Sequence, residues 1–223
     1  MLVSVVIGRA GTILQDATGV RWPEAELVGW LNDGQREVVQ VRHDASVSNG
    51  AITLIANSAK QTLPAGSIAL LGISRNLGTD GLTPGAPIKL TKREYLDALV
   101  PTWHTDAGQA AIKHYCNDVL DPKHFYVYPR PHATTAVQVE ALLCVLPADC
   151  ALPSATPSAA LTLADEYANS LVDYILYRAF SKDTEAASAQ RASDHYALFM
   201  TSLGVKTKSD VATNPNTKTG APA

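Results

Sequence analysis

The chain has 223 residues, 46% hydrophobic and 17% charged, which is enough apolar material for one domain or two and excludes wholesale disorder. Eighteen basic side chains against 21 acidic ones leave a formal charge of −3. That excludes a globally basic nucleic-acid clamp and restricts any DNA contact to a local or indirect one. Cys116, Cys144 and Cys150 are odd in number and lack C-x-x-C spacing. This argues against a disulfide framework and a thiolate zinc site and makes a reducing compartment the default.

The opening run Leu2 to Ile7 is apolar, but no positive region precedes it and Arg9 interrupts it early, unlike a signal peptide. No run approaches the roughly 18 apolar residues of a membrane span, so the expectation is a soluble chain, intracellular at synthesis. From Val3, the positions Val3, Val6, Ile7, Ala10 and Leu14 share one face of a first helix. Arg21-Trp22-Pro23 punctuates the chain, and proline suits a helix's first turn because its missing donor would be an orphan there. Leu27, Trp30, Leu31, Gly34, Val38 and Val41 then mark the clearest amphipathic helix, with Glu24, Asp33, Arg36 and Glu37 on the other faces.

After Arg42 the pattern changes to β-branched and apolar runs at 52–55, 61–63 and 68–73. Gly66, Gly72, Gly78, Gly81, Gly85, Pro84 and Pro87 break this region into short pieces, which suits a small sheet joined by loops. Thr91-Lys92-Arg93-Glu94 has the form of a capping box and predicts a short helix to about Leu99. Further strands are predicted at 111–116, 124–128 and 137–145. The last alternates Val137, Val139, Ala141, Leu143 and Val145 against Gln138 and Glu140.

A Pro/Ser/Ala connector at 147–158 precedes a second helical region. Thr162 with Asp165 resembles a capping start, and Ala164, Ala168, Leu171, Ile175 and Ala179 form a stripe. A break at 181–184 leads to a last helix carrying Ala192, Tyr196, Phe199 and Leu203, closed by Gly204. Residues 205–223 contain no aromatic and no Leu, Ile or Met. Alone they have almost nothing to bury against their chain entropy, so the expectation is a tail that takes shape only on a partner chain.

The pattern as a whole predicts an α+β fold. An antiparallel helical bundle is formed by the N- and C-terminal helices, with a small β-rich region inserted between them and an extended C-terminal tail. The boundaries are 1–44 for the first helical hairpin, 45–150 for the inserted β-rich region with its short helix, 151–204 for the second helical hairpin and 205–223 for the partner-bound tail.

The sequence holds no Walker loop, HExxH, GxSxG, EF-hand loop or dinucleotide fingerprint. Gly8-Arg9-Ala10-Gly11 lies inside a helical stripe without a preceding strand. His114, Cys116 and His124 fall on neighbouring predicted strands, as a metal site would need, but no fourth ligand appears at a convincing spacing and half-buried strand residues are the stronger reading. Ser193, Asp194 and His195 cannot act as a local triad because adjacent helical residues point apart. Tyr126 and Tyr128, flanked by Lys123 and Arg130, could stack single-stranded bases, though aromatic residues favour strands in any case. Trp22, Trp30 and Trp103 read as anchors of packing or of an interface. No catalytic residue, cofactor or metal is assigned.

Four segments, taken in order, carry a resemblance. They are Arg21-Trp22-Pro23-Glu24-Ala25-Glu26-Leu27, Trp30-Leu31-Asn32-Asp33-Gly34-Gln35-Arg36-Glu37, Phe125-Tyr126-Val127-Tyr128-Pro129, and the run from Leu171 to Asp183. Together they resemble the head-to-tail adaptors of short-tailed bacteriophages, the tail tubular protein A type of connector or gatekeeper, over roughly Val3 to Leu203. The resemblance implies a non-catalytic virion protein of the tail and neck, assembled in the host cytoplasm. It also implies a ring, commonly of twelve copies, between portal and tail nozzle, with DNA passing non-specifically through its lumen and no membrane partner. On this reading Val205, Lys206, Lys208, Val211, Pro215 and Lys218 are docking residues of the tail. Trp22, Val28, Val39 and Trp103 are candidates for contacts between copies. The rival classes are an enzyme with a site scattered through the β region and a monomeric DNA-binding module.

Overall fold

The computed structural model describes residues 1–16, 18–182 and 186–213. In chain order its elements are α1 (Val3–Ile13), α2 (Glu24–Val41), β1 (Val47–Thr53), β2 (Lys60–Thr62), β3 (Ser67–Leu77), β4 (Pro84–Pro87), β5 (Lys89–Leu90), α3 (Arg93–Leu99), β6 (His114–Asn117), β7 (His124–Tyr128), β8 (Gln138–Val145), α4 (Ala168–Lys182) and α5 (Ala186–Thr213). The chain divides into two compact units, residues 1–45 with 147–223, and residues 46–146.

The first unit is helical. Val3, Val6, Ile7 and Ala10 are the buried face of α1, on the spacing expected. In the loop that follows, the Asp16 carboxylate accepts the N–H groups of Val20, Arg21 and Trp22 at 3.0, 2.9 and 2.7 Å. These bonds, that from Trp22 foremost, hold its pKa below the ordinary carboxylate value. The loop delivers Pro23 to the N-cap of α2 with no side-chain cap bond.

Helix α4 is apolar around most of its circumference, with Leu171, Val172, Tyr174, Ile175, Leu176 and Ala179 all buried. Such a helix needs cover on several sides, and α1, α2 and α5 all pack against it. The connector runs along α2: Asn32 Oδ1 accepts the Cys150 N–H at 2.8 Å, Arg36 pairs with Asp149, and the Ser154 N–H donates to Glu24. The expected capping start at Thr162 is absent. A 3₁₀ turn, Asp165–Tyr167, leads into α4 from Ala164 without a side-chain cap.

The second unit holds two four-stranded sheets, ordered β1-β8-β3-β4 and β2-β7-β6-β5. Every pairing is antiparallel except β5 with β6. Val139, Ala141 and Leu143 of β8 enter one core together with Phe125 and Val127 of β7, which is what the alternation along 137–145 requires. The opposite face of the second sheet is covered by its own smaller cluster. There Leu96 of α3, Trp103, Ala59 and Cys116 pack with Tyr126 and Tyr128.

The expectation of a helical bundle carrying a small β insertion is overturned. The class is mixed α+β, with five helices and two sheets of four strands each among the described residues. The glycines that pointed to short pieces mislead at β3. This strand runs eleven residues through Gly72 by shifting register against β8 between Leu70 and Gly72, a bulge in place of a break. Strand β6 starts only at His114, because the Ile112 N–H is held by the Asn76 side chain at 2.7 Å. The capping box at Thr91 is not formed either, since α3 starts from Lys92 without a side-chain cap.

Two glycines of α2 should respond oppositely to alanine. A Cβ on Gly34 would lie 2.9 Å from Tyr174 Cδ1 and 3.3 Å from Leu171 Cδ2, so Gly34→Ala is expected to destabilise by about 1–3 kcal/mol. Gly29 has nothing within 4 Å, and Gly29→Ala should stabilise by about 0.5–1 kcal/mol. Urea unfolding of both variants checks the pair.

Candidate functional site

Helix α5 forms because an apolar stripe repeats at helical spacing. Ala192, Phe199 and Leu203 are buried, and the stripe continues one further turn to Lys206. The extended tail expected from residue 205 is therefore corrected for 205–213, which continue the helix through Gly204 to Thr213. Lys206 explains much of this, since its ammonium pairs with Glu166 at 2.8 Å and lies over the Tyr167 ring at 5.6 Å. The signal was present in the 3,4 spacing but carried by a lysine stem, which a search for apolar residues passes over.

Against α4, α5 is held by specific contacts. His195 Nδ1 lies 3.0 Å from Asp173, the Ser170 and Ser202 hydroxyls are 2.7 Å apart, and the His195 ring stacks on Phe180. The Tyr174–Phe199 and Tyr177–Tyr196 ring pairs lie at 5.2 and 4.9 Å. The face turned the other way is open. Leu198, Thr201, Val205 and Lys208 succeed one another at 3, 4 and 3 residues and are all exposed. Ser193, Asp194 and His195 form no triad: His195 turns to Asp173, while Asp194 accepts a bond from Gln190 at 2.8 Å.

Of the docking residues expected in the tail, Val205 and Lys208 lie on the open face of α5 and Lys206 turns back to its own chain. Val211 belongs to the α5 backbone, and Pro215 and Lys218 lie outside the described residues. The candidates for contacts between copies are core residues: Trp22 is 6%, Val28 3%, Val39 0% and Trp103 0% exposed. Val28 and Val39 lie off the main stripe of α2 because that helix is buried over a wider arc than one stripe.

In the second unit a groove of about 720 Å³ opens between the β5–α3 segment and the β6–β7 hairpin, lined by Lys92, Arg93, Glu94, Asn117, Asp118 and Asp121 among others. Arg93 lies over the Tyr126 ring at 5.2 Å, and Asp121 is engaged by His124 at 2.7 Å. Burial pushes the Cys116 thiol at its floor above the ordinary value, which keeps it protonated and unreactive. His124, the first residue of β7, pairs with Thr62 of β2 and does not stand beside His114 and Cys116, which pair with Tyr128 and Tyr126. Among the described residues no three His, Cys, Asp or Glu side chains converge on a metal-sized site. Tyr126 is covered by Arg93 and Trp103, and Tyr128 is stacked with His114, so their common face is not an open platform for bases.

What the described residues present, then, are surfaces. They include the outer stripe of α5 and apolar side chains on turns, Leu82 at 81% and Val119 and Leu120 at 92% exposure. In comparison with protein families, the model described as SU10 adaptor protein matches residues 1–219. The chain belongs to that family and is a bacteriophage structural adaptor, as the four-segment resemblance implied. No curated protein matches it.

Two contacts lend themselves to measurement. The Trp103 indole N–H donates to Asp97 Oδ1 at 2.7 Å while the ring is wholly buried. Asp97→Ala should cost about 1–3 kcal/mol by orphaning that donor, and Trp103→Phe in the same background should add less than it does alone, read by a double-mutant cycle in urea. In the β3–β4 turn, the Asp80 carboxylate accepts the Thr83 hydroxyl and the N–H groups of Thr83 and Leu82. These bonds, the hydroxyl first, bring its pKa from 3.8 to about 2. A depressed carboxylate supports the folded turn above 3.8 and loses that support as pH falls toward about 2. The Leu82 and Thr83 amide shifts should titrate with a midpoint near about 2, and a midpoint near 3.8 would show the bonds absent.

Proposed function

We propose that the chain is a head-to-tail adaptor whose copies form a ring, twelve in the reading favoured by the resemblance, between the portal and the tail nozzle in the virion neck. The observation that carries this is the family match over residues 1–219. The role is structural and non-catalytic, assembly takes place in the host cytoplasm, and partners are reached through surfaces. A ring needs heterologous contacts, in which one patch meets a different patch on the next copy and the rotation closes. DNA passes through the lumen without sequence reading, and a formal charge of −3 suits a channel that does not grip phosphates. No helix among the described residues is long and apolar enough to cross a membrane.

The open stripe of α5, with Leu198, Thr201, Val205 and Lys208, and the residues that follow at 214–223 supply the contact with a neighbouring portal or adaptor subunit. Each contact is weak alone and is multiplied by linkage through the ring. Removing 214–223 leaves the Lys206–Glu166 pair in place, so the truncated chain is expected to keep its unfolding midpoint. Its attachment to portal-filled heads should weaken by about 100-fold or more as avidity is lost. Pull-down on heads, with native mass measurement of the protein alone and with portal, checks both, and undiminished attachment refutes the docking role.

A further inference from the structure

Strand β1 reads Val47-Ser48-Asn49-Gly50-Ala51-Ile52-Thr53 and is the edge of its sheet, paired among the described residues with β8 alone. It has little else to hold it. Six of its seven residues are exposed, and only Ile52 is half-buried, packed against the core that β8 shares with β7. A strand with few buried apolar contacts and a solvent-facing ladder lies at the low end of local stability, so it opens before its unit unfolds.

Asn49-Gly50 is the one Asn-Gly pair in the sequence. The pair carries its own chemistry, because glycine has no Cβ to screen its nitrogen from the neighbouring asparagine amide carbon. Register decides when that nitrogen is available. The Leu54 N–H donates to Val137 and the Val145 N–H donates to Ser46, so the even-numbered residues of β1 exchange bonds with β8. Gly50 stands opposite Ala141, and its N–H is engaged there. Asn49 turns its N–H and C=O to the open edge, and its exposed side chain lies on the face away from Ile52 and Leu54. In the closed strand the Gly50 nitrogen is thus occupied, and extended backbone holds it away from Asn49 Cγ.

We propose that Asn49-Gly50 is a deamidation site gated by the opening of β1. When the strand opens, hydroxide removes the Gly50 amide proton and the nitrogen attacks Asn49 Cγ. A C–N bond forms, the Cγ–Nδ2 bond breaks and ammonia leaves, giving a five-membered succinimide. One water then cleaves either carbonyl C–N bond of the ring. The main chain continues through aspartate or, by way of Cβ and Cγ, through isoaspartate.

Both products change the strand. Isoaspartate lengthens the main chain by one carbon, so Ile52 opposite Val139 cannot be kept in register with Val47 opposite Cys144. Aspartate keeps the register and sets a charge on an edge whose own residues carry none. A transient opening is thereby recorded as a permanent change. The site stands independently of the adaptor reading.

The full-length chain is held at neutral pH, folded and in concentrated urea. Peptide mass spectrometry reads the gain of about 1 Da at Asn49, and chromatographic retention separates aspartate from isoaspartate. Asn49 is expected to convert ahead of Asn57, Asn76 and Asn117 in the folded chain, and about 10- to 1,000-fold more slowly there than in urea. Amide exchange reads the gate itself, since protection of the Gly50 N–H should match that ratio of rates. Ile52→Ala should quicken conversion in the folded chain by about 5-fold or more and leave the rate in urea unchanged. Gly50→Ala, whose Cβ meets nothing within 4 Å, should slow conversion by about 10-fold or more in both states with the circular dichroism unchanged. Should Ile52→Ala fail to fold, the exchange measurement on the unaltered protein decides. No conversion at Asn49 in the folded chain, equal rates in the two states, a folded Ile52→Ala variant no faster than the parent, or Gly50 protection unrelated to the ratio of rates overturns the proposal.

Discussion

An element that is apolar on two sides cannot rest against a single neighbour, and each unit of this protein is organised by one such element. In the helical unit it is α4, where Leu171, Ile175 and Ala179 on one side and Val172 and Leu176 on another are all buried. Cover from α1, α2 and α5 follows from that demand. In the β unit it is the sheet containing β7. Phe125 and Val127 enter the core shared with β8, while Tyr126 and Tyr128 face the cluster made by Leu96 and Trp103. The short helix α3 and the turn bearing Trp103 are thus lids over a second apolar face.

Side-chain amides satisfy backbone groups where the ladders stop. Asn76, almost wholly buried, donates to the carbonyls of Ala86 and Ile112 and accepts the Ile112 N–H, so one side chain ties β3 to two flanking segments. Gln61 does the same for the 55–61 loop, accepting from the Ile55 N–H and donating to the carbonyls of Ile55 and Ser58. Each replaces a strand partner that the local backbone cannot supply, which is why polar residues sit in these cores at tolerable cost.

These features suit a protein whose work is to be held between others. The burial of Trp22, Val28, Val39 and Trp103 assigns the large apolar side chains to folding. What remains for partners is an outer helix stripe, exposed turn residues and backbone edges. Membership of a phage adaptor family is in keeping with that division. Contacts of this sort are individually modest and gain strength when several are linked in one assembly.

Periodicity alone determined much of the local structure. The faces of α1, α2 and α4 and the alternation of β8 were legible because burial imposes periods of 3.6 and 2 on the residues themselves. The order of four motif segments was enough to indicate the family. Decided only in three dimensions were the extent of β3 through Gly72, the second face of the β7 sheet, the continuation of α5 past Gly204 and the burial of the expected interface residues. Each depends on a partner distant in the chain: a register shift against β8, a lid from α3 and Trp103, the Glu166 and Tyr167 side chains beneath Lys206. Local spacing records which way a residue points along its own element, and carries no record of what stands opposite it.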